Sequence, residues 1–181
     1  MSCYCTTSGI DVSFDSQLPI SSDDTLLVLF GSRSYTQQEQ AVNLADDIID
    51  EIESRKIVFD AIISGGANGA DDVAEVVGVK LGVPVIVLNV GRRKHERHSI
   101  RADLSEEPYI VETVATYEGD SNDPRSGKGA YLYRNCLMAK VTAQHGGTGL
   151  AIWNGQSTGT QHMMDACESH GVPYSVYHFN M

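Results

Sequence analysis

Thr25-Leu-Leu-Val-Leu-Phe30 is a continuous apolar run that stops at Gly31. A short run without polar alternation, closed by a turn residue, is the pattern of a strand buried on both faces in a parallel sheet. From Gln37 to Arg55 the period changes. Ala41, Leu44, Ala45, Ile48, Ile49 and Ile52 recur at steps of three and four, which puts one apolar stripe along a helix. Val58 to Ile63 predicts a second strand, Ala70 to Leu81 a second helix closed by Gly82, and Pro84 to Leu88 a third strand. Strand and helix alternating in this way call for a parallel sheet joined by right-handed crossovers. The rhythm resumes with a helix from Gly129 to Ala143, a strand Gly149 to Trp153, a helix Thr158 to His170 and a strand Pro173 to Tyr177. The expected fold is α/β: a Rossmann-like three-layer α/β/α domain over residues 25–181, with a mainly parallel five-stranded sheet and four helices.

Two stretches fall outside this pattern. Residues 1–24, rich in Ser and Asp, predict a flexible tail. Asn89 to Lys128 forms a long insertion after the third strand, polar and charged, with turn residues between Gly119 and Pro124. Loops beyond ~15 residues in a compact domain are usually lids or insertions with small elements of their own; Tyr109 to Tyr117 could form a short strand there. The insertion also holds the chain's one basic cluster, Arg92, Arg93, Lys94, His95, Arg97, His98 and Arg101. That cluster suits a lid over a ligand or a contact with a second subunit better than a nucleic-acid surface.

Three strand ends carry small and hydroxyl residues: Gly31-Ser32-Arg33, Ser64-Gly65-Gly66-Ala67-Asn68-Gly69, and Gly155-Gln156-Ser157-Thr158-Gly159-Thr160. Missing side chains let backbone N–H groups approach an oxyanion, and the helix that follows offers its unsatisfied amides and positive dipole end at the same point. In a parallel sheet such turns gather at the carboxyl edge, where ligands bind at the reversal of strand order. Glycine in one turn serves tight geometry equally well; three together point to a phosphate or similar anion. None is followed by Gly-Lys-Ser/Thr, and none matches GxGxxG with an acidic residue on the next strand tip, which argues against ATP hydrolysis and dinucleotide chemistry. Arg33 and Arg134 stand beside these turns and could fork onto phosphate or carboxylate.

The composition narrows the choice of partner. At 181 residues, 41% hydrophobic and 20% charged, the chain reads as one ordinary folded domain. Thirteen Lys and Arg against twenty-four Asp and Glu give a net charge of −11. That charge repels polyphosphate at long range, so nucleic acid is not the expected partner; it would also suit a salt-rich cytoplasm. No apolar run approaches the ~20 residues of a membrane span and no leader pattern opens the chain, so a cytoplasmic protein with no membrane contact is expected. Cys3, Cys5, Cys136 and Cys167 are too few and too irregular for a zinc ribbon or disulfide framework and read as reduced thiols, and no HExxH pattern occurs. Neither metal nor cofactor is expected.

The blocks Gly31-Ser32-Arg33, Ile63 to Asp71, Gly127 to Asn135 with Met138, and Ser157-Thr-Gly-Thr160 followed by a helix and Gly171-Val-Pro173 resemble the SLOG superfamily, most closely its YspA/YpsA-related branch. The resemblance covers about Leu26 to Val176, apart from most of the insertion. It implies a Rossmann-like domain that binds a nucleotide or nucleotide-derived small molecule. Ligand phosphate would sit at Ser157, Thr158, Gly159 and Thr160, with Gly31, Ser32, Arg33, Ser64, Gly65, Gly66, Asn68 and Gly69 completing the pocket and Asp71, Arg134 and Asn135 beside it. It also implies a homo-oligomer.

Two relatives within that superfamily suggest sharper alternatives. In LOG phosphoribohydrolases an Arg in an RKxxM block and a Glu after a GGxGT motif serve cleavage of the base-to-ribose bond. Arg134-Asn135 with Met138 is similar to the first block; the Glu position holds Met163, and Asp165 lies ~200° around the helix from it. Loss of a base builds positive charge on the sugar and benefits from a nearby carboxylate. A hydrolase would therefore lean on Asp71 or Asp72 with Arg134, although both carboxylates equally suit a helix N-terminus. His162 could act as an acid or base or stand as an ordinary helix histidine, and Tyr131, Tyr133 and Trp153 could stack on a base or belong to the core. DprA is similar in its GSR, SGxAxGxD and RN blocks and implies single-stranded DNA binding, which the charge opposes. The leading expectation is a binding or sensor module, with N-glycosidic hydrolysis of nucleoside monophosphates and DprA-like DNA binding as alternatives.

Overall fold

The computed structural model describes residues 12–14, 17–33, 38–89, 110–117 and 127–179. In chain order the elements are β1 (Val12–Phe14), β2 (Leu26–Gly31), α1 (Gln38–Ser54), β3 (Ala61–Ser64), α2 (Ala70–Leu81), β4 (Val85–Asn89), β5 (Ile110–Tyr117), α3 (Gly127–Gln144), β6 (Thr148–Trp153), α4 (Thr158–His170) and β7 (Tyr174–His178). They form a seven-stranded sheet in the order β1-β5-β4-β3-β2-β6-β7. Every neighbouring pair is parallel except β1 with β5.

The five expected strands are the contiguous parallel block β4-β3-β2-β6-β7. Two more strands extend it. Ile110–Tyr117 pairs along five residues with β4, and Val12–Phe14, inside the expected tail, pairs antiparallel with β5. Three residues are too few to show a period, so the tail's strand had no signal of its own and exists only because β5 offers it an edge. The second strand of the sequence reading, here β3, also begins later than its apolar residues suggest. Val58 is 80% exposed, and β3 starts at Ala61, where Asp60 has accepted the Thr25 N–H at 2.8 Å.

Strand β2 shows how the layers form. Leu26, Val28 and Phe30 face one way, into a core shared with α3 and α4, while Leu27 and Leu29 face the other, against α1 and α2. All five are essentially inaccessible, and each such side chain contributes about 1.5–3 kcal/mol of burial. The stripe expected on the first helix is the one buried: Ala41, Leu44, Ala45, Ile48 and Ile52 sit in the second core, with Ile49 at its margin. Helix α3 is buried at seven successive residues, Tyr133 to Ala139, because it lies against the sheet and packs beside α4. Cys136 on that helix is disulfide-bonded, correcting the reduced state expected for it, and its partner lies outside the described residues; Cys167 is free and buried.

The connections place the site. From β2 the chain winds outward through β3 and β4 to β5, then crosses by α3 to β6 on the other side of β2. The loops after β2 and β6 therefore leave in opposite directions, which opens a crevice at their carboxyl ends.

Candidate functional site

The three glycine-bearing turns meet at that crevice because their glycines allow backbone to touch backbone. A Cβ on Gly31 would overlap the Ile152 carbonyl oxygen and lie 2.9 Å from Ala70 Cβ. Ser32 N–H donates to that same oxygen at 2.9 Å, and Ala70 N–H donates to Ser32 O at 3.1 Å. Gly69, at φ +91°, has room for no side chain, since a Cβ would sit 2.6 Å from Arg33 Cα. Gly31 and Gly69 are therefore packing glycines that bring the β2, β3 and β6 turns together.

Asn154, which the sequence reading passed over, organises the third turn. Its Oδ1 accepts the N–H groups of Gln156 and Ser157 at 3.0 and 3.1 Å and the Ser32 hydroxyl at 3.1 Å. Ser157 is the N-cap of α4: its Oγ accepts from Thr160 N at 3.3 Å and from the Thr160 hydroxyl at 2.9 Å. The amide cradle is thus narrower than expected, because Gln156, Ser157 and Thr160 already spend their N–H groups inside the loop. The amides of Thr158 and Gly159 have no acceptor among the described residues, and they stand where a helix presents its positive end.

The opposite wall is α3. Arg134 is 8% exposed; its Nη1 donates to Gly65 O at 2.6 Å, while its Nε is buried with no partner among the described residues. Gly65 must be glycine for this to happen, since a Cβ there would lie 2.5 Å from Arg134 Cζ. Burial pulls the Arg134 pKa down; Asp71 opposes that shift and neighbouring Arg33 adds to it. The guanidinium carbons of Arg33 and Arg134 lie 5.3 and 5.4 Å from the Tyr131 ring centroid, within cation–π range.

Asp71 accepts the Ala67 N–H at 2.8 Å and Asp72 the Gly69 N–H at 2.9 Å. Both carboxylates hold the turn that starts α2, the structural role weighed for them above. Asn135 Nδ2 donates to Gly159 O at 3.3 Å and lies 3.4 Å from His162 Nδ1, tying α3 to the start of α4. Burial lowers the His162 pKa, with Asp165 acting the other way.

These groups surround a cleft of about 980 Å³. Of the residues expected at the site, Gly31, Arg33, Asp71, Arg134, Asn135, Ser157, Thr158, Gly159 and Thr160 line it. Ser32, Ser64, Gly65, Gly66, Asn68 and Gly69 do not. Ser32 and Gly65 act through Asn154 and Arg134, Ser64 Oγ is buried without a partner among the described residues, and Asn68 is exposed. Met163 lines the floor at 1% exposure, so no carboxylate stands at that point, and Asp165 lies exposed and bound to Gln161 at 2.9 Å. The three aromatic candidates divide. Tyr131 lines the cleft, Tyr133 is a core residue whose phenol burial pushes up to about 12, and Trp153 pairs with His178 at 5.9 Å outside it. The basic cluster at residues 92–101 lies outside the described residues.

No protein-family model and no curated protein matches the chain. Among solved structures it is similar to DNA processing protein A (DprA) from Streptococcus pneumoniae, at 16% identity and a TM-score of 0.54, over 87% of this chain and 51% of that one. It is also similar to DprA from Helicobacter pylori, in a structure concerned with its single-stranded DNA binding mode, at 18% identity and a TM-score of 0.54, over 96% of this chain and 84% of that one. The chain spans about half the length of the pneumococcal protein. These likenesses correct the exclusion of nucleic acid drawn from net charge. The Helicobacter structure concerns single-stranded DNA binding, and charges farther apart than a Debye length of about 8–10 Å are largely screened, so a net charge of −11 does not by itself exclude a nucleic-acid partner. No described helix is long and apolar enough to cross a membrane. The chain has the Rossmann-like α/β fold seen in DprA proteins.

Proposed function

We propose that the cleft binds the phosphate backbone of single-stranded nucleic acid, seating one nucleotide unit between α3 and the N-terminus of α4. The observation that carries this reading is Arg134, a guanidinium at the strand-order reversal that lines the cleft although only 8% exposed, with Nη1 committed to the neutral Gly65 O. A buried positive charge held by one neutral carbonyl is costly, and a phosphate in the cleft would compensate it. The DprA fold adds support, since the Helicobacter pylori protein binds single-stranded DNA. Fluorescence anisotropy of a labelled oligothymidine at low salt tests the proposal. Replacing a charge-assisted contact should weaken binding about 10–100-fold in Arg134→Lys, which keeps the charge but not the fork, and in Arg33→Gln. Failure to retain the strand, or an affinity in both variants equal to that of the unsubstituted protein, would reject it.

The size of the cleft favours a second reading, a free nucleotide or nucleotide-derived molecule, as the YspA/YpsA resemblance implies. About 980 Å³ is the size of a small-molecule site. A thermal shift on adding nucleoside monophosphates, with none on adding oligothymidine, would favour this reading over the first.

A further inference from the structure

We infer that the cleft is built for the phosphomonoester end of a strand, in preference to an internal phosphodiester. This inference rests on the nucleotide-phosphate reading above and adds to it the class of phosphate recognised.

The first ground is the number of open donors. The Thr158 and Gly159 amides, the Arg134 guanidinium and the exposed guanidinium of Arg33 line the cleft from three segments. An internal diester offers two non-bridging oxygens, whereas a terminal monoester offers three strong acceptors. The second ground is charge. Two guanidinium groups share the Tyr131 ring, and the carboxylate beside them, Asp71, already accepts from Ala67 N–H. Asp165 stands exposed at the rim and is bound to Gln161, where water screens it. With about half a charge from the α4 terminus, the cleft holds an excess of roughly one and a half positive charges. A monoester carries about −1.5 to −2 at pH 7, which matches; a diester carries one charge and leaves the excess unmet. The buried position of Arg134 keeps this difference from being screened as a surface pair would be.

Competition against an internally labelled oligothymidine tests the inference, using unlabelled strands of one sequence that end in a 5′-phosphate, a 3′-phosphate or no phosphate. One phosphorylated strand should compete at least about tenfold better than the plain one, the scale of one added charge-assisted contact, and the arm that gains identifies the end. The advantage should shrink below about threefold in Arg33→Gln, an exposed substitution whose unchanged melting temperature would show that a contact and not the fold was lost. Equal competition by all three strands overturns the inference and leaves strand binding standing. An advantage that survives in both Arg33→Gln and Arg134→Lys overturns it as well. Absence of binding by any strand overturns this inference together with the reading beneath it.

Discussion

Arg134 and Gly65 form the smallest unit with a consequence. Gly65→Ala places a methyl against the end of a flexible side chain, so the guanidinium should swing away while the fold survives. We expect stability to fall by about 1 kcal/mol and strand affinity to fall as far as in Arg134→Lys, read by melting and anisotropy together. Gly31→Ala meets backbone at Ile152 and cannot be relieved by a rotamer change; it should cost about 1–3 kcal/mol or more in denaturant unfolding. The histidines set a pH dependence. Burial lowers the folded pKa of His162 and of His170, so each is held neutral by the fold and binds its proton more readily when unfolded. Stability should be fully present above the ordinary histidine value of about 6.5 and be lost as pH falls through the lowered folded values, more steeply than in His162→Gln. A melting temperature flat from pH 7 to 5 would contradict this. The sequence singles out Arg134 by residue type and position, but its burial and its bond to Gly65 O belong to two helix–loop segments 69 residues apart.

At the scale of elements, the start of α4 is both cap and ligand surface. Ser157→Ala removes the acceptor of Thr160 N and should cost about 0.5–2 kcal/mol in thermal unfolding. Asn154→Ala should be costlier to binding, because it releases the loop from Ser32 and frees Gln156 and Ser157 to reorient; measured affinity, and not melting alone, would separate the two variants. Three of the four helices were legible by a stripe or a cap: α1 by its apolar period, α2 and α4 by the turn and hydroxyl residues before them. Asn154 was not, since a single Asn after a strand is an ordinary turn residue until its partners from two other segments are known. Strand β5 was legible only as a possibility, and β1 not at all, because both depend on an edge supplied by distant chain.

For the whole molecule, net charge misled where local charge informs. A protein of charge −11 that binds strand phosphate only through this cleft should show a shallow salt dependence, log Kobs falling with log salt at about −0.7 per phosphate engaged, for one or two phosphates. A slope of −4 or steeper would mean that a broad basic surface carries the binding instead.

Apolar periodicity was enough to specify an α/β alternation, the five contiguous parallel strands and the turns that would end at one edge of the sheet, because burial on two faces leaves its mark in the chain itself. Folding alone set which turns touch, that Arg134 lies buried against Gly65 while Arg33 stays exposed, that Asp71 faces an amide before it faces any ligand, and that the sheet has seven strands. Those outcomes are contacts between residues far apart in sequence. Their free energy comes from desolvation and fit at a meeting point that no local window of residues contains.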